Sequence, residues 1–447
     1  MSSFAARRIR ESDPSGLQHR RPVRQSSHTN SAALVQTGVI LLGGTHGALA
    51  VARSFGRDGV PVILVTDDNP LPKLSRYVRR SYSWPGASSP HAEKWLIAFA
   101  VEHGLQDWLL IPCADPEVKC VAVHLASLRS VFKIVSSDWT ALQQLCDKRQ
   151  LAKTAAAAGV EFPKDYPIGA VHDDCAKIQF PVVLKPAMRL QRNRFTSSKA
   201  WRANSSDELK QLHSRAAGFV GNDQVLLQEL VPGGGESQFS YAALWYANAP
   251  VAEMTARRSR QFPVEFSHTS TMVEVVENDA VKVAGRRLLT SIGFEGLVEI
   301  EFKRDTRDGS YKVLDVNPRP WSWFALCPAA GLDFPFLMRN LILGKTVDAI
   351  HPGDDHVWVH LSKDILVALQ LMFRGELDPF TYVNSIRRRP VFAAFDWDDP
   401  FPGIMELPLA LYRIVRRAVA ALRLSTPPLG GRLVGDSVMG VDAKRPD

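Results

Sequence analysis

Gly296-Leu-Val-Glu-Ile-Glu-Phe-Lys303, followed after a polar turn by Tyr311-Lys-Val-Leu-Asp-Val-Asn-Pro-Arg-Pro-Trp321, is the stretch around which the chain is organised. β-Branched and aromatic residues alternate with polar ones on both sides of Asp308-Gly309, so the spacing predicts two strands joined as a hairpin across Arg304 to Ser310. Glu299 and Glu301 are two apart and share a face of the first strand. Asp315 and Asn317 do the same in the second. A register that sets Glu301 opposite Asp315 and Asn317 would converge several oxygen donors on one point of one sheet face. That donor set suits a hard cation such as Mg2+, which takes few protein oxygens and completes its octahedron with phosphate. Arg319 leaves the second strand beside the donors, where its planar fork can meet anionic oxygen. A carboxylate in an amphipathic strand is usually a solvated group, and Glu295 and Glu299 are read in that way.

The 447 residues allow about two to three domains. With 45% hydrophobic and 22% charged residues, the composition is that of an ordinary globular protein. The net charge of +8 gathers partly in the first 24 residues, where six arginines meet only Glu11 and Asp13. It gives little support to nucleic-acid binding, and an anionic substrate or membrane surface accounts for it as well. The five cysteines are odd in number and lack CxxC spacing, which argues against a disulfide framework and a zinc-ribbon site and favours a reducing cytoplasm. No uninterrupted apolar run approaches the roughly 20 residues that span a bilayer. Residues 1–35 are rich in Arg, Ser, Pro and Gln without apolar periodicity, and disorder is preferred there over a transit peptide.

Order is expected from Thr37. Thr37 to Leu42 reads as a buried strand, Gly43-Gly-Thr-His-Gly47 as a tight turn, Ala48 to Arg57 as a helix and Val60 to Val65 as the next strand. Strand Trp108 to Ile111, ending in Asp115, and segment Phe132 to Val135 extend a Rossmann-like layer over 36–137, whose carboxyl-end loops make His46 and Asp115 candidate substrate residues. The glycines do not reproduce G-x-G-x-x-G, so a nicotinamide-dependent dehydrogenase is disfavoured. Asp138 and Asp147 cap two helices, and Lys148 begins the second. Phe180 to Pro186 is an apolar strand carrying Lys185, a charge that asks for a partner such as phosphate. The basic, hydroxyl-rich segment 187–202 could fold over polyphosphate. Gln224 to Val231 and Ser237 to Tyr246 are expected to pair as a hairpin around Gly233 to Gly235. Arg257, Arg258 and Arg260 lie between expected strands as candidate carboxylate binders. Helices are expected at Pro335 to Leu343, Leu361 to Phe373 and Leu407 to Leu424. The last is basic and amphipathic, which suits a docked helix first and a membrane-surface helix second. Residues 425–447 are expected to be disordered.

Lys148 at a helix start, Lys185 ending Val-Val-Leu-Lys, the turn Gln228-Glu-Leu-Val-Pro-Gly233, and Asp315-Val-Asn-Pro-Arg319 occur in the order and spacing that resembles the ATP-grasp superfamily over roughly 38–345. Ser198-Lys-Ala-Trp-Arg202 and Asp396-Trp-Asp-Asp-Pro-Phe-Pro402 are similar to the predicted ATP-dependent carboligases with a carbamoyl-phosphate-synthetase-like grasp domain. The resemblance implies an α/β and α+β architecture: a Rossmann-like pre-ATP-grasp domain, an ATP-grasp domain of two α+β subdomains over 138–345, and a helical C-terminal extension over 346–424. It implies a ligase that activates a small-molecule carboxylate as an acyl phosphate for an amine or other nucleophile, with a non-turning-over ATP-binding protein as the alternative. Lys148 and Lys185 would then hold the ATP phosphates, Gln228 and the Glu229 and Val231 backbone the adenine, and Glu236 the ribose. Glu301, Asp315 and Asn317 would ligate Mg2+ or Mn2+, and Arg319 would steady the acyl phosphate. The loop after Lys185 lacks the glycine run of the biotin-carboxylase branch, and Asp315 stands where several members have Glu.

Overall fold

Val39–Leu42 (β1) has no polar side chain and is buried on both faces, the signature of a central parallel strand. In the computed structural model it is flanked by Val62–Val65 (β2) and Leu109–Pro112 (β4), with Val78–Tyr82 (β3) at the edge, all parallel in the order β3-β2-β1-β4. The structure describes residues 37–412 except 68–69, 174, 188–192, 197–199, 265–268, 346–351 and 354. The tails, the middle of segment 187–202 and positions 413–424 of the expected C-terminal helix therefore lie outside the described residues. One expectation in this layer needs correction, and one strand had no signal. Phe132 to Val135 contributes only a single bridge, Lys133 to Leu109, and β3, whose middle residues Arg79 to Ser81 are exposed, carries no apolar pattern by which it could be recognised.

Asp138 and Asp147 cap the helices Trp139–Cys146 and Lys148–Ala157 as expected, their side chains accepting from the Ala141 and Arg149 amides. Four short strands follow: Asp165–Tyr166 (β5), Val182–Pro186 (β6), Trp201–Ala203 (β7) and Val225–Glu229 (β8). They form a separate antiparallel sheet in the order β5-β8-β6-β7, with helix Ser206–Val220 on one face. Gln238–Tyr246 (β9) does not pair back onto β8. It enters a seven-stranded sheet instead, so Pro232 to Ser237 is a crossing between two sheets and not the turn of a hairpin. Both neighbours of β8 are already taken, by β5 and β6.

That larger sheet is built from β9, Ala249–Phe262 (β10), Thr269–Val275 (β11), Gly296–Arg304 (β12), Tyr311–Asn317 (β13), Val357–Val359 (β14) and Pro390–Phe392 (β15), in the order β13-β12-β9-β10-β11-β14-β15. The hairpin β12-β13 forms where expected. Arg257, Arg258 and Arg260 lie inside β10, a 14-residue strand, and not between strands. The C-terminal part is likewise more than helical, because β14 and β15 extend the sheet on either side of helices Leu361–Phe373 and Pro379–Arg387. Residues 401–412 are also helical, starting six residues before the expected Leu407. Leu409 packs near Leu49 and Leu71, whereas Ile404, Leu407 and Leu411 are exposed. Among the described residues no helix is long and apolar enough to cross a membrane.

One apolar core joins the first sheet to the large one. Helix His46–Arg57 and the run Trp321 to Phe334 fill the space between β1 and the face of β9, β10 and β11 that carries Leu244, Met254 and Val273. Gly47 marks the closest approach: a Cβ there would stand 2.6 Å from the Pro320 carbonyl oxygen. The run Asp396-Trp-Asp-Asp399 closes the same region electrostatically. Buried Asp399 accepts from Arg53 Nε (3.0 Å), Ser75 Oγ (2.7 Å) and the Arg76 amide (2.9 Å), while Arg57 reaches Asp396 and Asp398. Removing one partner leaves the other as a buried uncompensated charge, so Asp399→Ala is expected to cost about 3–5 kcal/mol. Urea unfolding checks this, and a loss below about 1 kcal/mol would show that the clasp is incidental.

Candidate active site

The register of β12 and β13 pairs Glu301 with Asp315 and Glu299 with Asn317. Because strand side chains alternate, all four project from one face of the sheet, as the spacing predicted. They line a cleft of about 870 Å³ together with Lys148, Arg319, Asp115 and His46. Lys148 Nζ meets Asp315 Oδ1 at 2.6 Å. Arg319 Nη2 donates to Asn317 Oδ1 at 3.2 Å, and the same guanidinium forks onto Asp115 at the carboxyl end of β4. The candidate residues from the first sheet and from the hairpin therefore share one cavity, and the Asp115–Arg319 pair bridges them.

Glu299 is not the solvated group expected from its pattern. β12 lies between β9 and β13, and the Glu299 side chain is buried. It accepts from Ser240 Oγ (2.9 Å), Trp323 Nε1 (2.7 Å) and Asn317 Nδ2 (3.2 Å). Burial, and then repulsion from Glu301, push its carboxyl above the usual range, against the opposing influence of Arg258, Ser240 and Trp323. By holding the Asn317 amide nitrogen, Glu299 orients the Asn317 carbonyl oxygen.

Of the β10 arginines it is Arg258, and not Arg257, that reaches the cleft. It lines the cleft, lies buried 3.5 Å from Glu301 Oε2 and donates to Gln238 Oε1. Arg257, one residue earlier, points away from the cleft and is held by Glu274 with Nε and Nη2 at 3.1 and 2.7 Å. Period two in the strand sets the difference. Lys363 and Trp323 are further cleft residues that sequence reasoning passed over. Cys113 and Cys146 also line it, but burial pushes both thiols up, Cys146 to about 12, so neither supplies a thiolate at neutral pH. Beside His46, burial first, with His46 and Lys363 adding to it, lowers the His360 imidazole to about 3.

Lys185, Gln228, Glu229, Val231 and Glu236 are outside this cavity. Lys185 is on β6, whose end approaches the main site where the Lys148 amide donates to the Ala187 carbonyl at 3.3 Å. Gln228 is buried and donates to Asp165 Oδ1 at 2.8 Å. The Glu229 amide already donates to the Lys164 carbonyl, so only the remainder of its backbone is a candidate for adenine. The Glu229 side chain is clamped by Lys312 and Arg307, each at 2.6 Å. Val231 is buried at the start of the crossing, and Glu236 is exposed in it.

No family model matches the chain. The biotin carboxylase of Campylobacter jejuni, solved with a β,γ-ATP ligand, superposes with a TM-score of 0.54 and 16% identity, covering 69% of this chain and 72% of that one. The chain has the ATP-grasp fold. Curated relatives include the N-terminal section of the carbamoyl phosphate synthase large chain of Methanopyrus kandleri, 24% identical over 209 residues, covering 42% of this chain and 35% of that protein. The D-aspartate ligase of Enterococcus faecium is 21% identical over 223 residues, covering 47% and 53%. The matched region thus spans between a third and about half the length of these two relatives.

The hairpin turn ties the ATP-grasp strands to the smaller sheet. Asp305, whose side chain is fully buried, binds Arg307 and Lys312, which also hold Glu229. Hydrogen bonds from Arg307 first, with Lys312, hold the Asp305 carboxyl well below its ordinary range; Glu229 is also lowered, burial opposing and Lys312, the Lys164 amide and Arg307 prevailing. As the pH falls the unfolded chain takes up these protons first. Their contribution is complete above about pH 4.5 and is lost as the pH drops through the lower folded-state values. Asp305→Asn is expected to cost about 3 kcal/mol at pH 7 and to differ less from wild type at pH 3. A pH-independent difference in urea unfolding would rule out the charge of Asp305 as its source.

Proposed function

We propose that the chain is an ATP-dependent ligase that activates a small-molecule carboxylate as an acyl phosphate and joins it to an amine or other nucleophile, releasing ADP and phosphate. The observation that carries this reading is the pairing of Glu301 with Asp315 and Glu299 with Asn317 in a cleft that also holds Lys148 and Arg319. The ATP-grasp fold and the likeness to a D-aspartate ligase support it.

The oxygen-rich donor set of Glu301, Asp315 and Asn317 fits Mg2+, with Mn2+ as the alternative. These residues would hold the ion, which when bound neutralises phosphate oxygens. Lys148 would meet the phosphates as a point charge, exchanging its contact with Asp315 for one with ATP, and Lys185 would approach them from β6. Gln228, the backbone of Glu229 and Val231, and Glu236 would hold the nucleoside. Arg319 is the residue best placed to steady the acyl phosphate, because its guanidinium lies between Asn317 and the Asp115 loop. Asp115, His46 and Arg258 would face the carboxylate and the acceptor, with Arg258 in the role first considered for Arg257. Rate would come from positioning and from charge neutralisation at fixed cations. No nucleic-acid partner is proposed. The exposed stripe Ile404, Leu407 and Leu411 supports peripheral membrane contact through 407–424.

Phosphate release from ATP, measured over a panel of amino acids and small dicarboxylates, tests the proposal. Tight ATP binding without phosphate release across the whole panel would favour a nucleotide-binding protein without turnover. With an active pair in hand, Asp315→Ala is expected to abolish Mg-ATP-dependent release while the circular dichroism spectrum is retained. Normal turnover would refute the metal assignment. Arg258→Ala is expected to lower kcat/KM for the carboxylate by about 100-fold, a loss of about 2.7 kcal/mol, whereas Arg257→Ala should change it less than threefold. Equal effects would remove Arg258 from the substrate side.

A further inference from the structure

Among the described residues, and apart from the hairpin carboxylates, one set of ligating side chains is assembled from three distant parts of the chain. His46 opens the first helix, His360 follows β14 directly, and Glu406 lies in the helical residues 401–412. Their donor atoms all lie within 4.8 Å of one another. His46 Nε2 stands 2.7 Å from Glu406 Oε1, and His360 Nε2 stands 3.6 Å from the same oxygen. The two rings are tilted by 55° with centroids 5.0 Å apart, so they do not stack face to face. Both present an ε nitrogen to one carboxylate oxygen.

The surroundings fix that orientation. Ser362 Oγ meets His360 Nδ1 at 3.2 Å and lies 3.4 Å from Glu406 Oε2, and the His360 amide donates to the Thr271 carbonyl at 2.8 Å. A hydroxyl on the δ nitrogen is the kind of outer contact that orients an imidazole ligand. The His360 side chain is only 3% exposed, and those of His46 and Glu406 are 17% and 18% exposed. Bonds of about 2.0–2.1 Å at tetrahedral angles set ligand atoms roughly 3.4 Å apart. The 3.6 Å spacing already matches, the 2.7 Å spacing reaches it by a side-chain shift of less than 1 Å, and the two imidazole donors, within 4.8 Å of each other, close by at most about 1.4 Å.

We infer that His46, His360 and Glu406 form a binding site for a divalent transition metal of the zinc class, separate from the oxygen-only set of the hairpin. Two imidazoles and one carboxylate select such ions, whereas Glu301, Asp315 and Asn317 suit Mg2+. Three protein ligands leave a coordination position, and His46 places the cluster at the wall of the cleft, beside Lys363. The inference stands independently of the ligase reading, since it needs neither ATP nor turnover.

The test is metal binding by the full-length protein after chelator treatment, without nucleotide. Titration with Co2+ is expected to give one equivalent with the visible absorption of nitrogen-ligated cobalt, displaced by Zn2+. His46→Ala and Glu406→Gln are each expected to weaken Zn2+ binding at least tenfold, while Asp315→Ala leaves it unchanged. His360→Ala removes a buried ring, so the two partly exposed positions carry the test, with thermal unfolding followed in parallel. Absence of stoichiometric Co2+ and Zn2+ binding, or Zn2+ affinity unaltered by both His46→Ala and Glu406→Gln, would overturn the inference and reduce the trio to a hydrogen-bonded contact between the first helix and residues 401–412. Loss of Zn2+ binding in Asp315→Ala would assign the ion to the hairpin and overturn it equally.

Discussion

Three acidic side chains and one amide on a single face of β12 and β13 cannot be packed together without cations, and the architecture can be understood from how those cations are supplied. Lys148 comes from a capped helix, Arg258 from β10 and Arg319 from the residue pair beyond β13. Arg319 continues to Asp115 on the first sheet. Like charges in a poorly solvated cleft repel strongly, so each contact between these elements is also part of the charge balance of the site. Packing and electrostatics are coupled here. The same cations that keep the carboxylates together are those suited to meet a phosphate.

The hairpin, the two Asp-capped helices and the first βαβ unit were legible because their signals are local. Alternation, an Asp-Gly turn and capping side chains act within a few residues. What could not be read was which strands become neighbours. Glu299 looks solvated by pattern, but β9 and β13 flank its strand and Trp323 covers it. Gln224 to Val231 and Ser237 to Tyr246 look like a hairpin, but β5 and β6 claim both edges of β8. Arg258 was named beside Arg257, and only recognition that the segment is one long strand separates the buried residue from its neighbour.

Candidate site residues divide along the same line. Those drawn from one hairpin, or from the ends of parallel strands, came together in one cleft, because period two and strand-end placement are geometric rules. The residues proposed for the nucleoside were assigned by resemblance, and they lie along β8 and the crossing that follows. His360 and Glu406 had no signal at all: His46 and Glu406 are 360 positions apart, and neither partner belongs to a recognisable spacing.

The clasp at Asp399 bears on the order in which the molecule can be made. Arg53 sits in the first helix, yet its buried guanidinium finds its carboxylate 346 positions later. Proteins of several layers usually complete them from the amino terminus as they are synthesised. Here the first sheet cannot bury the Arg53 guanidinium against its carboxylate before residue 399 has been made. The final packing of the first sheet therefore waits on a segment far downstream in the sequence, whatever order the intervening strands take.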